Sequence, residues 1–158
     1  MIHNYIAALP EISLAAGLLV MALVRLFRSE NTPKTFYTLG KFFLAFTLLT
    51  TVVFYNRSWL PPIFENNPYT SLFKIIICLF TLAWAYLSCK WFLNKNYSSW
   101  SFYSLMLLEV LLLSLAISAL NFAALFVGLQ GAFLLNWFLI RLGDDEEKKK
   151  RDAAWRFL

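Results

Sequence analysis

Residues 99–142 decide the fold of this chain: SWSFYSLMLLEVLLLSLAISALNFAALFVGLQGAFLLNWFLIRL. The stretch contains two apolar runs of about 20 residues, which is the length that a helix needs to cross the hydrocarbon core of a bilayer. Asn121 lies between the runs and is a favourable helix cap. Because almost no residues separate the runs, only a tight turn can join them. We therefore expect two antiparallel membrane helices that are neighbours.

The rest of the chain has the same character. Its 158 residues are 60% hydrophobic and 15% charged, with a mean hydropathy of +0.63, whereas a soluble chain is about 45–50% apolar and about 25% charged. Further spans are expected near 5–26, 36–55 and 71–92, in addition to 99–120 and 121–142. We predict an all-α integral membrane protein with one five-helix domain (1–142). Gly143 is expected to end the fifth helix, and a charged tail (143–158) follows it.

The basic residues predict the orientation of these spans. Most of them, Lys41 included, are assigned to the first loop, the third loop and the tail, whereas only Arg57 and Lys74 fall on the other side. Lysine and arginine are enriched on the inside of a membrane, so the N-terminus is predicted outside and the C-terminus inside. Lys74 and Lys90, near the ends of the third span, are expected to extend their ammonium groups toward the lipid headgroups.

Glu109 is the main candidate for chemistry. It lies in the middle of an apolar span, where a carboxylate is costly unless it is protonated, paired or facing a hydrated path. Gln130 lies at similar predicted depth on the next span, so a Glu109–Gln130 hydrogen bond is expected, and a proton path through the two is a hypothesis. A neutral acid that merely bonds a neighbouring helix is the alternative. Gly128 and Gly131 favour close packing or local unwinding beside Gln130.

Other polar residues point to structural roles. Glu11 lies beside Pro10 near the membrane edge and is expected to reach the interface. Cys78 and Cys89 have a spacing typical of neither a metal site nor a disulfide, and we interpret both as packed thiols. Asn136 lies six residues after Gln130 and does not share its helix face. We expect no catalytic residue, no metal and no cofactor.

The tail carries an acidic run followed by a basic one, over residues 144–151. A solvated segment is one interpretation. The other is contact with a soluble partner or anionic lipid, through the basic residues Lys148, Lys149, Lys150, Arg151 and Arg156. The net charge of +5 is not read as a nucleic-acid signal, because the basic residues flank apolar spans.

Three segments resemble a known family. Leu-Pro-Glu-Ile at 9–12, the stretch from Phe-Tyr to Phe-Val-Gly-Leu-Gln over 102–130, and Asp-Ala-Ala-Trp-Arg-Phe-Leu at 152–158 occur in the family's order and spacing. They resemble the antiporter-like subunit N of proton-translocating NADH:quinone oxidoreductase (respiratory complex I; subunit 2 in mitochondria). The resemblance covers most of this chain but only the first part of the longer family subunit, ending where its sixth span begins.

The resemblance implies a membrane-arm subunit without a redox cofactor, in a bacterial plasma membrane or a mitochondrial inner membrane. Its partners would be lipids and other membrane-arm subunits, especially a chain that carries the missing later spans. The family's fifth-span glutamate, which is thought to serve proton translocation, falls at Gln130, and glutamine cannot carry a proton charge. We therefore hypothesise that Glu109 takes over that carboxylate's role.

Two other functions remain open at this point. The chain is then either a supernumerary or assembly protein of a membrane complex without a transport role, or a subunit of a related cation/proton antiporter complex.

Overall fold

The computed structural model describes residues 8–27, 33–55, 65–95 and 99–155, with side chains for 8–27, 34–55, 65–88 and 100–141. This part of the chain forms five helices: α1 (Leu9–Phe27), α2 (Pro33–Val53), α3 (Pro68–Lys95), α4 (Ser99–Ser118) and α5 (Phe122–Trp155). Each helix contains a stretch long and apolar enough to cross a membrane. The predicted all-α fold with five candidate spans is confirmed, and its composition is that of a multi-pass membrane protein.

Helix α4 is the centre of the bundle, because it packs against each of the other four helices. Its residues Tyr103 and Leu107 are fully buried, and they meet Leu14 of α1 and Leu44 of α2 in the core. Helix α5 packs chiefly against α4 and lies at one side of the bundle. The core is therefore built by α1 to α4, and α5 adds one outer flank.

The connection between α4 and α5 is a tight turn, as predicted. The backbone N–H of Ala123 donates to Oδ1 of Asn121 (3.1 Å), so Asn121 caps α5. Gly128 lies against Ala116, and Gly131 lies against Leu112. A later residue of α5 thus contacts an earlier residue of α4, which is the pattern of antiparallel neighbours. The predicted helix pair is confirmed.

Helix α3 begins earlier than expected, at Pro68 rather than near Ser71. The backbone N–H of Thr70 donates to Oδ1 of Asn67 (2.8 Å), and the backbone N–H of Asn67 donates to Oγ1 of Thr70 (2.8 Å). This reciprocal pair is a capping box. Proline is favoured at the first helical position, so Pro68 starts this helix instead of excluding it.

Helix α5 does not end at Gly143 but continues to Trp155. An interior glycine costs a helix about 1 kcal/mol relative to alanine. The run of glutamates and lysines that follows consists of good helix formers, and Glu–Lys spacings of three and four residues support a helix. The expected boundary at Gly143 was wrong, because these residues offset the cost of one glycine.

Candidate functional site

Glu11 and Lys74 form an ion pair inside the bundle. Helix α1 places Glu11 in its first turn, and α3 places Lys74 in its second. Nζ of Lys74 lies 2.5 Å from Oε1 of Glu11, and the two side chains are 3% (lysine) and 16% (glutamate) exposed. The sequence had placed Glu11 at the interface and Lys74 at the headgroups. Both expectations were wrong, because each charge neutralises the other within the bundle instead of reaching water.

Further hydrogen bonds tie this pair to its surroundings. Oγ of Ser114, on α4, donates to Oε1 of Glu11 (2.9 Å). Lys74 also donates to Oδ1 of Asn66 (3.1 Å), a buried side chain just before α3. We call Glu11, Lys74, Ser114 and Asn66 the polar centre. It joins α1, α3 and α4 through charge-assisted hydrogen bonds, which are stronger than neutral ones.

The segment just before α3 packs against the end of α4, near the polar centre. The backbone N–H of Glu65 donates to the carbonyl oxygen of Ser118 (2.6 Å), so the segment pairs with the last turn of α4. This pairing fixes Asn66 against the end of α4, from where its amide oxygen accepts the bond from Lys74.

Hydroxyl groups of α1 and α2 continue this polar region. Ser13 and Thr47 share a hydrogen bond of 2.7 Å, and Ser13 also donates to the carbonyl oxygen of Pro10. Thr50 and Thr51 each donate to the carbonyl oxygen of Thr47. These threonine and serine side chains are buried, so four helices contribute polar side chains to one end of the bundle.

Glu109 has a different partner from the one expected. Nδ2 of Asn136 donates to Oε1 of Glu109 (2.6 Å), whereas Gln130 is exposed. The helix register explains the change. Gly131 lies opposite Leu112, so the residue opposite Glu109, three positions earlier on α4, lies several positions beyond Gly131 on α5. The depth estimate that paired Glu109 with Gln130 placed the centre of the turn too early in the chain.

Helix α5 leaves most of its surface uncovered. Within its apolar stretch 11% of the residues are buried, against 22–39% in the other four helices. Glu109 is half-buried at the edge of this surface, and the amide side chains of Gln130 and Asn136 are exposed on it. Two amides and the edge of a carboxyl group thus lie on the outside of an otherwise apolar flank, which we call the α5 face.

A second lysine also lies inside a helix. Lys41 had been assigned to the first loop, but it lies in the third turn of α2. Its ammonium group lies 3.7 Å from the ring centroid of Tyr37 and 5.7 Å from that of Tyr86. Cation–π contacts of this kind stabilise a charge that water does not fully surround. This assignment to a loop was wrong, because the helix starts at Pro33.

Several sequence predictions fall outside the part of the chain that is described in full. Helix α5 includes the backbone of 148–151, but the side chains of Lys148, Lys149, Lys150 and Arg151 lie outside the described residues, as does Arg156. The same holds for the side chains of Cys89 and Lys90. Cys78 is buried, as expected of a packed thiol. The predicted orientation in the membrane stays a prediction.

The comparisons with known proteins do not place this chain. No family model matches it, and no curated protein sequence matches it significantly.

The sequence did contain a signal for the polar centre. The first and third spans enter the bundle from the same side, and each carries one charged residue one or two turns from that end, Glu11 and Lys74. Opposite charges at equal depth on two such helices favour an ion pair. Treating each residue separately, as a group that reaches the interface, concealed that match.

Proposed function

We propose that this chain is the N-terminal fragment of a split antiporter-like subunit N of proton-pumping NADH:quinone oxidoreductase. In this role it is a membrane-arm subunit without a redox cofactor, located in an energy-transducing inner membrane. A separate chain supplies the later spans. The resemblance at 9–12, 102–130 and 152–158 supports the proposal at the level of sequence.

One observation carries the proposal: α5 exposes two amide side chains, Asn136, which donates to the half-buried Glu109, and Gln130, which lies elsewhere on the same uncovered surface. Polar side chains at this depth are costly against lipid and face protein or water in membrane proteins. Amide side chains are also among the groups that bond between membrane helices. A companion chain with further spans would cover this face, as the proposed split subunit requires.

The orientation with the N-terminus outside belongs to the same proposal. Participation of Glu109 in proton movement is also part of the proposal. A carboxyl group at the interface between two chains lies where a proton path between them would run. The structural role and the proton role are separable, because the structural role requires only that a companion chain packs on the α5 face.

The second candidate is a subunit of a related cation/proton antiporter complex. The polar centre favours it to the same degree, because ionisable residues within membrane helices mark ion and proton pathways in many transport proteins. The two candidates differ in the other subunits of the complex to which the chain belongs.

The test is isolation of the intact assembly from native membranes in mild detergent. Native electrophoresis, staining for NADH dehydrogenase activity and mass spectrometry of the active band identify the chains present. We expect this chain there together with a companion that carries the later spans. Its presence in a band without NADH activity, among antiporter components, would establish the second candidate. Association with an unrelated complex would support the supernumerary or assembly role.

A further inference from the structure

A lysine and two tyrosines form a cationic site between α2 and α3. Nζ of Lys41 lies 3.7 Å from the ring centroid of Tyr37, one turn earlier on α2, and 5.7 Å from that of Tyr86 on α3. The Tyr37 ring packs in turn against the fully buried Tyr103 of α4, with ring centroids 5.7 Å apart. We call Lys41, Tyr37 and Tyr86 the Lys41 site. Three helices thus contribute to the position of its ammonium group.

The Lys41 ammonium group has unused hydrogen-bonding capacity. It carries three N–H donors. Within the part of the chain that the structure describes, it makes cation–π contacts but no hydrogen bond and no ion pair. Ring faces attract a cation but accept hydrogen bonds only weakly. Because Lys41 is half-buried and donors without acceptors are costly there, the site favours an anion that offers oxygen acceptors.

The Lys41 site lies at the outer surface of the bundle, beside an apolar helix face. Tyr86 is 67% exposed, and Phe42, which follows Lys41, is also exposed. Phe46 and Leu49 come four and seven residues after Phe42 and are exposed as well, so these three side chains share one face of α2. The rings of Phe42 and Phe46 stack, with centroids 6.3 Å apart. An uncovered apolar surface thus begins beside the cation and extends along α2.

Lys41 lies at the same level of the bundle as a basic residue of α5. The α2 residue just before Lys41 contacts Tyr103 of α4. Tyr103 is six positions before Glu109, which accepts the bond from Asn136 of α5. Because α4 and α5 are antiparallel, the α5 residue level with Tyr103 lies about six positions after Asn136, next to Arg141.

A basic group beside an aromatic ring at one common level is typical of a membrane interface. The guanidinium carbon of Arg141 lies 5.2 Å from the ring centroid of Trp137, much as Lys41 lies over Tyr37. Tyrosine and tryptophan are enriched at the level of the lipid headgroups. The Lys41 side chain extends toward the end at which α2 begins, as lysines near the end of a span do. The Lys41 site therefore lies at headgroup depth, and the exposed face of α2 lies toward the acyl chains.

We propose that the Lys41 site binds the phosphate group of one anionic phospholipid, with an acyl chain along the exposed phenylalanines of α2. The ammonium group donates charge-assisted hydrogen bonds to the phosphate oxygens, while the two rings keep it in position. The hydroxyl group of the exposed Tyr86 is a second donor. An anionic lipid is preferred to a zwitterionic one, because no cation within its own headgroup balances the phosphate. Basic pockets between membrane helices are known to bind such headgroups.

A specific site differs from the general attraction of a basic surface to anionic lipid. General attraction acts alike on Lys41 and Lys34, two single charges on the same helix. The two lysines differ in their surroundings, since Lys41 is half-buried beside two rings whereas Lys34 is exposed in the first turn of α2. Their variants therefore distinguish the two kinds of binding. The measurement needs only this chain and is independent of the complex to which it belongs.

The experiment uses the full chain, with fluorinated tyrosines, in phosphatidylcholine nanodiscs observed by fluorine NMR. Phosphatidylglycerol with the same acyl chains replaces an increasing fraction of the lipid. Tyr86 and Tyr69 are both exposed and lie near opposite ends of α3, and loss of one signal in each phenylalanine variant assigns them. We expect the Tyr86 signal to shift and saturate, while the Tyr69 signal does not saturate. A Tyr86 response without saturation would overturn the proposal.

The lysine variants test which charge binds the lipid. Lys41→Met should raise the phosphatidylglycerol fraction at half-saturation of the Tyr86 signal at least about tenfold, which corresponds to about 1.4 kcal/mol. Lys34→Met removes the same charge from the same helix and should raise it less than about twofold. Equal effects of the two variants would establish general attraction and refute the site.

Lys41→Arg tests whether charge, rather than the lysine itself, is what the site requires. Arginine keeps the positive charge and stacks on aromatic rings, so half-saturation should change less than about threefold. A loss as large as in Lys41→Met would contradict a phosphate site. Inorganic phosphate in the buffer should leave the Tyr86 response unchanged. Displacement of the lipid by it would overturn the lipid assignment in favour of a site for free phosphate.

Discussion

The Glu11 carboxylate accepts hydrogen bonds from two other helices inside an apolar bundle: Lys74 balances its charge, and Ser114 adds a neutral hydrogen bond. Removing one partner of a buried ion pair costs about 3–5 kcal/mol, because the other charge is left uncompensated. We therefore expect Lys74→Met and Glu11→Gln each to lower the free energy of unfolding by about that amount. Equilibrium unfolding in mixed micelles, followed by circular dichroism, measures it.

The double variant, Glu11→Gln with Lys74→Met, distinguishes the pair from two unrelated sites. It leaves no buried charge uncompensated, so we expect its cost to be well below the sum of the two single costs. Lys34→Met, at an exposed position of α2, is the control and should change stability by less than about 0.5 kcal/mol. Additive costs would show that Glu11 and Lys74 do not stabilise each other.

Under the proposed function, Glu109 is the residue that would take part in proton movement. Its carboxyl group accepts a hydrogen bond from Asn136, and glutamine keeps the size and an amide oxygen that can accept the same bond. In the assembled complex, Glu109→Gln should therefore preserve assembly and lower the number of protons pumped per NADH oxidised. Proton uptake by inverted membrane vesicles, with NADH oxidation followed in parallel, measures this ratio. An unchanged ratio would leave Glu109 with a structural role alone.

At the scale of the helix pair, two glycines on α5 make different contacts with α4. A Cβ at Gly128 would lie 2.7 Å from Cβ of Ala116 and 3.0 Å from the backbone oxygen of Leu112. At Gly131 the near atom is Cδ1 of Leu112 (2.8 Å), the end of a flexible side chain. The first contact is with fixed atoms, and the second can move away.

Gly128→Ala and Gly131→Ala should accordingly have opposite effects on stability. Alanine is worth about 1 kcal/mol over glycine in a helix, so Gly131→Ala should be neutral or stabilising. At Gly128 overpacking costs about 1–3 kcal/mol and should exceed that gain. Unfolding of both variants in the same micelles compares them directly. Equal stabilities would mean that α4 and α5 pack less closely than the structure has them.

The helices themselves were predictable from the sequence, because length and apolarity determine which segments can cross a bilayer. Their ends were less so. Local chemistry decided them: the Asn67–Thr70 capping box moved the start of α3 to Pro68, and the residues after Gly143 extended α5. A hydropathy profile reports neither the capping box nor the helix-forming residues after Gly143.

The candidate site was predictable in part. Glu109 was recognised because it is isolated, but its partner depended on the exact turn between α4 and α5, and Asn136 replaced Gln130. The Glu11–Lys74 pair was missed, because a charge near the end of a span has two outcomes, the interface or a buried partner. The opposite charges at equal depth on α1 and α3 favoured the buried partner, but neither residue taken alone could show it.

At the scale of the whole molecule, the carboxyl groups of Glu11 and Glu109 lie against different surfaces of α4. Ser114, the α4 residue that bonds Glu11, lies five positions from Glu109, which is a rotation of about 140° around a helix with 3.6 residues per turn. The polar centre is thus enclosed by the bundle, whereas Glu109 lies toward α5 and its uncovered face. Of these two carboxyl groups, Glu109 is therefore the one that another chain packed on α5 could reach.

The last prediction concerns assembly through the α5 face. Gln130→Leu replaces an exposed amide by an apolar side chain, which suits lipid better but removes hydrogen bonds to a partner chain. Asn136 is left unchanged, because it donates to Glu109 within this chain. If a companion covers this face, Gln130→Leu should reduce the amount of this chain in the native complex, while the chain itself stays folded. Phe80→Leu, at an exposed position of α3, is the control and should assemble normally. Quantitative mass spectrometry of the complex, with total membrane content as reference, measures the fraction assembled. Full assembly of Gln130→Leu would mean that lipid, rather than protein, covers α5 at this position.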